Sequence, residues 1–104
     1  MAALLKHEPE TIFINTWAEA GTFDLVVNST VSHSLRRQRL DLLDVNCVLK
    51  SGRVTSSDML DSLGLWTVRG ETTEGDWLEA LIVVRSADPE VELLKVMKLK
   101  RSEK

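Results

Sequence analysis

Two hydrophobic periodicities divide this sequence near Gly52, and few folds accommodate both in that order. Before Gly52 the apolar residues recur at helical spacing; from Leu65 onward they alternate as in strands. The segment Pro9 to Ala20 reads as a helix: Pro9 suits a first turn, Glu8 and Glu10 complement the positive end of the helix dipole, and Gly21 is a stop signal. Ile12, Phe13, Trp17 and Ala20 share a face that is expected to be core. Phe23 to Val27 is rich in β-formers and reads as a strand or an extended linker, and Asn28-Ser29-Thr30 as a turn. Ser32 is the expected N-cap of a second helix, His33 to Arg39, which has one clear apolar residue, Leu35, and so lies at the surface. Asp41 caps a third helix to Lys50, with Leu42, Val45 and Val48 or Leu49 as its buried stripe. Gly52 ends it at a position expected to be left-handed.

Beyond a polar stretch from Ser56 to Gly64, read as a loop, three strands are expected. In Leu65–Thr72, Trp66 and Val68 face one side and Leu65, Thr67 and Arg69 the other. Trp77–Arg85 carries Leu78, Ala80, Ile82 and Val84 on one face. Val91–Lys100 is apolar enough to lie centrally. The turn signals Thr73–Asp76 and Ser86–Pro89 separate them, and such short connections imply antiparallel neighbours. The expected fold is α+β, with two to three N-terminal helices packed on a three- to four-stranded antiparallel sheet. With 104 residues it is one domain: 8–52 helical, 53–100 sheet, 101–104 a tail.

A hydrophobic content of 43% supplies a core. The four-residue apolar run within Met1 to His7 is too short for a secretory signal, and no segment approaches the ~20 apolar residues of a membrane span. With a single cysteine, Cys47, no internal disulfide forms; a reducing, cytoplasmic setting without membrane association is expected, and Cys47 reads as a small buried hydrophobe rather than a nucleophile. The net charge of −3 argues against a protein that coats nucleic acid. Even so, Arg36, Arg37 and Arg39 cluster in one place, and Lys95, Lys98, Lys100, Arg101 and Lys104 in another.

The constellation with chemical content is His33 with Arg36 and Arg37. At positions i, i+3 and i+4 of a helix the three side chains share a face. Guanidinium groups fork onto phosphate oxygens, and an imidazole moves protons near neutral pH. Solvated basic helix faces are also common. Arg69 and Glu71, two apart on one strand face, would add an anion clamp and a candidate base; the competing reading is an ion pair of that strand with Glu79 or Arg85. Of the three tryptophans, Trp66 is in an inward phase, whereas Trp77 begins its strand beside a turn and is the one expected to be exposed and able to stack on a base. Gly-rich phosphate loops, paired Cys/His metal spacings and nucleophile elbows are absent from the sequence, and His7 is far in sequence from His33, so no cofactor and no metal is expected.

From Val31 onward the sequence resembles a widespread bacterial domain of uncharacterised function. Its pattern runs Ser-x-His-Ala-x-x-Arg-x-x-x-Arg, then Asp-Val-x-x-Val-Leu-x-x-Gly-x-Val, then a Tyr/Trp-x-Val-x-Gly strand. Val31–Arg37, Asp44–Val54 and Trp66–Gly70 with Glu74-Gly75 stand in those places. The linker before Asp44 is shorter here, the second arginine falls on Asp41 or shifts to Arg39, and the chain has no tyrosine. That domain is similar in architecture to RelE-like ribonuclease toxins and their barnase and colicin relatives. The resemblance implies helices on a curved antiparallel sheet and metal-free RNA cleavage, with His33 and Arg37 as the catalytic pair and RNA and a cognate antitoxin as partners.

The expected function is therefore an endoribonuclease-like toxin with Arg36, Arg69 and Trp77 on the substrate side and Glu71 as a further candidate base. The alternative is a catalytically inactive module of a phage or mobile element that docks on a host protein. A homodimer joined through Val91–Leu99 is a third expectation, conditional on that strand lying at a sheet edge.

Overall fold

The computed structural model describes residues 8–21, 23–60, 63–85 and 90–99. Expectations for Met1–His7, the Ser86–Pro89 turn and the basic residues beyond Leu99 fall outside them. The elements run α1 (Glu8–Ala20), β1 (Asp24–Val27), α2 (Ser29–Arg37), α3 (Leu42–Ser51), β2 (Arg53–Leu60), β3 (Leu63–Glu71), β4 (Trp77–Arg85) and β5 (Glu90–Lys98). The strands form one sheet in the order β1-β5-β4-β3-β2. Strands β2 to β5 pair antiparallel in succession, and β1 joins β5 in parallel.

The α+β class and the three helices stand; the sheet is larger than expected, with five strands, and it is mixed. Two local readings account for the difference. The Ser56–Gly64 stretch is the β2–β3 hairpin, whose register sets Ser56 against Thr67 and Met59 against Gly64. In β2 the polar run Thr55–Asp58 is exposed apart from half-buried Ser57, so it lacks the apolar–polar alternation that marks a strand half-buried against a core. The Phe23–Val27 segment does contribute a strand, but its partner is β5, the last strand of the chain. No turn signal announces a parallel partner reached through two helices and three strands.

One core joins the layers. Ile14 and Ala18 of α1, Val31 and Leu35 of α2, and Val45, Val48 and Leu49 of α3 pack with Val54, Val68, Leu78, Ala80, Ile82, Val84, Val91, Leu93 and Val96 of the sheet. All three helices therefore pack on one face, and among the described residues no helix lies on the other. The inward face of α1 is rotated from the expected one: Ile12 is 57% exposed and Ala20 is exposed, while Phe13 and Trp17 are half-buried. Phe13 packs against Trp17 with the rings tilted by 42° at 4.4 Å between centroids and meets Trp66 edge-on at 5.8 Å. Leu42 is likewise exposed, and both Val48 and Leu49 are buried.

α3 begins in a reciprocal capping box: Asp44 N–H donates to Asp41 Oδ1 and Asp41 N–H to Asp44 Oδ2. It ends at Gly52 for a reason other than the expected left-handed turn, since φ there is −80°. A Cβ on Gly52 would meet the Val48 carbonyl oxygen and lie 2.8 Å from the Arg69 carbonyl oxygen; one on Gly70 would lie 2.8 Å from the Gly52 Cα. The two glycines let the end of α3 touch β3 backbone to backbone. Asn15 of α1 donates to the Leu49 and Gly52 carbonyls, and Thr11 Oγ1 accepts from Val54 N–H, so α1 clasps the start of β2.

β5 lies between β1 and β4, so as far as Leu93 it is not the sheet edge that strand pairing through Val91–Leu99 would need. β1 reaches only Leu93, however, and past it the side of β5 is met by the side chain of Gln38. Gln38 Nε2 donates to the Val96 carbonyl at 3.0 Å, and Lys98 N–H donates to Gln38 Oε1 at 2.7 Å. The amide thus stands in for a neighbouring strand. Gln38→Ala is expected to lower stability by about 1 kcal/mol, with water replacing part of the loss at this exposed rim. Gln38→Glu is expected to cost more, because it sets a carboxylate oxygen against the Val96 carbonyl; urea denaturation of both variants checks the order.

Candidate functional site

α2 starts one turn earlier than expected, at Ser29, because Asn28 rather than Ser32 is its N-cap: Val31 N–H donates to Asn28 Oδ1 at 2.9 Å. Val31 and Leu35, four residues apart, are its buried stripe against β5. His33, Arg36 and Arg37 are all exposed. Their i, i+3, i+4 spacing on a formed helix brings the imidazole and two guanidinium groups to one solvent-facing side. Among the described residues the ion pairs are Arg69–Glu79, Arg85–Glu90, Arg85–Glu92 and Lys98–Asp76, so no described carboxylate within pairing distance neutralises Arg36, Arg37 or Arg39. The helix closes on Arg39, whose φ of 62° is left-handed. Arg39 N–H donates to the Arg36 carbonyl and Leu40 N–H to the Leu35 carbonyl, the Schellman arrangement, with Leu35 and Leu40 both buried.

The remaining sequence-derived candidates lie elsewhere. Val68 and Gly70 face the helices, so Arg69 and Glu71, which alternate with them, face the open side. Trp77 pairs in register with Glu71 and is 42% exposed. Arg69, Glu71 and Trp77 therefore occupy one end of the uncovered sheet face, opposite the helical layer that carries His33. The structure does not bring these two groups together. Arg69 Nη2 bonds Glu79 Oε2 at 3.0 Å, the cross-strand pair weighed against a clamp role; with the arginine side chain 47% exposed, the pair contributes at most about 1 kcal/mol.

A depression on that open face, lined by Thr67, Glu79, Leu81, Lys95 and Met97, measures about 170 Å³. Small-molecule sites start at about 300 Å³, so this one is too small to enclose a nucleotide. Cys47 is half-buried with its thiol 3.6 Å from the Glu71 carbonyl oxygen, as a small packed side chain would be. Among the described residues no three His, Cys, Asp or Glu side chains converge as metal ligands, and no described helix is long and apolar enough to cross a membrane. No family model, no curated protein and no solved structure matches the chain.

Sequence reasoning missed Gln38 and the backbone of Arg39. Gln38 was invisible because its partners are 58 and 60 residues away. The Schellman closure did leave a trace, since Leu35 and Leu40 are separated by polar residues at the spacing that motif requires. The missing glycine masked it.

Proposed function

We propose that this domain is an RNA-cleaving module of the toxin–antitoxin kind, acting in the cytoplasm through His33 and Arg37, with Arg36 as a phosphate-binding neighbour. The observation that supports it is the exposed imidazole–guanidinium face of α2, unneutralised by any described carboxylate, on a chain whose net charge is −3. The helices on one side of four successive antiparallel strands are compatible with a RelE-like scaffold. In the reaction the His33 imidazole takes the proton of a ribose 2′-hydroxyl, whose oxygen attacks the adjacent phosphorus. The bond to the 5′-oxygen breaks, and that oxygen leaves with a proton from solvent. The products are a 2′,3′-cyclic phosphate and a 5′-hydroxyl, and no redox partner is needed. Arg36 and Arg37 hold the non-bridging oxygens as charge develops on them. Arg69, Glu71 and Trp77 have no part in this step, since they lie on the opposite sheet face.

A second reading is an inactive protein-binding module. It is favoured by the open face of the sheet, where Leu81, Met97 and Trp77 reach solvent or half-burial without a covering helix.

The deciding experiment incubates the purified chain with end-labelled single-stranded RNA in the presence of a chelator. Cyclic-phosphate ends are expected, with His33→Ala slowing their formation by about 10²–10⁴-fold and relieving growth arrest in an expressing bacterium. Full activity in His33→Ala would remove the site. A harmless wild type that does not cleave RNA and recovers one protein partner would establish the second reading.

A further inference from the structure

We infer that Arg39 is a phosphate-contacting residue that extends the His33 face past the end of α2, so that the site grips a single-stranded nucleic acid at more than one phosphate. The inference rests on the α2 face being the nucleic-acid site.

Arg39 is the one non-glycine residue with positive φ among those described. Its backbone is held there by the next residue. Leu40 must turn back to bury against Leu35, and the two closing hydrogen bonds, 3.0 Å from Arg39 to Arg36 and 2.8 Å from Leu40 to Leu35, require a left-handed residue between them. Glycine satisfies this geometry without a Cβ penalty; an L-residue does not. Packing therefore explains the conformation but not the arginine. The side chain is exposed and joins no ion pair among the described residues. A cation at a helix C-terminus complements the dipole, but Arg36 and Arg37 already supply two in the last turn. What Arg39 adds is a third exposed guanidinium, on a residue just past the end of α2 whose backbone is hydrogen-bonded to that of Arg36.

Arg39→Gly separates the two roles, because it relieves the backbone and removes the charge together. The probe is a fluorescent all-2′-deoxy oligonucleotide of about 20 residues, which lacks the attacking hydroxyl and stays intact, titrated by anisotropy over a range of salt. For a single strand, each phosphate neutralised by the protein adds about 0.7 to the slope of log K against log salt. Arg39→Gly is expected to weaken binding by about 3–10-fold, to lower that slope by about 0.7, and to leave the melting midpoint unchanged or raise it by up to about 5 °C. Arg39→Lys, which keeps the charge, is expected to restore the slope. Unchanged affinity and slope in Arg39→Gly, with weakened binding in Arg36→Ala and Arg37→Ala, would overturn this inference alone. A fall of the midpoint by several degrees would assign Arg39 to the fold instead. If the wild type shows no salt-dependent binding at all, the nucleic-acid reading of α2 fails with it.

Discussion

Leu49→Ala is expected to lower the unfolding free energy by about 3–4 kcal/mol, the largest single loss available to α3. The side chain is 0% exposed and sits where α1, α3 and β3 converge, in a cluster with Ile14, Val48 and Val68. Burial of a leucine is worth about 1.5–3 kcal/mol by transfer, and the cavity adds to that because its walls are tied in place. The Leu49 carbonyl accepts from Asn15 Nδ2 at 2.7 Å, which anchors α1 beside the void, and the Gly52–Gly70 contact anchors the far end of α3. The site can therefore collapse only partly. A domain of this size has about 5–15 kcal/mol in total, so the variant should unfold at much lower urea with an unchanged m-value. A loss under about 1.5 kcal/mol, the range of volume-conserving core changes, would mean that the layers around Leu49 are not rigidly joined.

The second large effect is steric. Gly52→Ala is expected to cost about 2–3 kcal/mol, although its φ of −80° suits any L-residue. The added methyl would press on two backbone carbonyls, of Val48 and Arg69, and neither is the end of a flexible side chain. Gly70→Ala acts on the same contact from β3, so the double variant should cost clearly less than the sum of the singles. The two accounts of Gly52 are separable by Gly52→Asn. A left-handed cap would tolerate asparagine better than alanine; a backbone contact makes asparagine at least as damaging. Chemical denaturation of Gly52→Ala and Gly52→Asn decides between them.

How much of the fold is legible in the chain depends on the range over which each signal acts. The Asp41 cap, Gly21 after α1, the Thr73–Asp76 turn and the alternation from Leu78 to Val84 are local signals, decided by groups within a few residues of one another, and each appears in the structure as expected. The pairing of Arg69 with Glu79 was legible as one of two outcomes, because register in a hairpin is set by the turn. The face of α1 was misread by a rotation of the helix. Ile12 and Ile14 offer similar hydrophobicity, and the choice between them is made by α3 and β2, not by α1.

The candidate site divides the same way. His33, Arg36 and Arg37 share a face by helical geometry alone, so their co-location was available from spacing. Whether Arg69, Glu71 and Trp77 join them depends on which sheet face the helices cover, and β3 carries half-buried residues on both of its faces. The open face became visible only once Gly70 was seen against Gly52 and Val48.

By itself the sequence determined the three helices and the later strands, the Asp41 cap and the Thr73–Asp76 turn, and the exposed basic side of α2, because these are set by dihedral preference and short-range hydrogen bonding. The tertiary structure alone decided the parallel seat of β1 on β5, the amide of Gln38 acting as a missing strand, and the separation of the two groups of candidate residues onto opposite faces. Those features arise from contacts between segments tens of residues apart, whose free energy depends on the whole packed arrangement and leaves no local pattern in the chain.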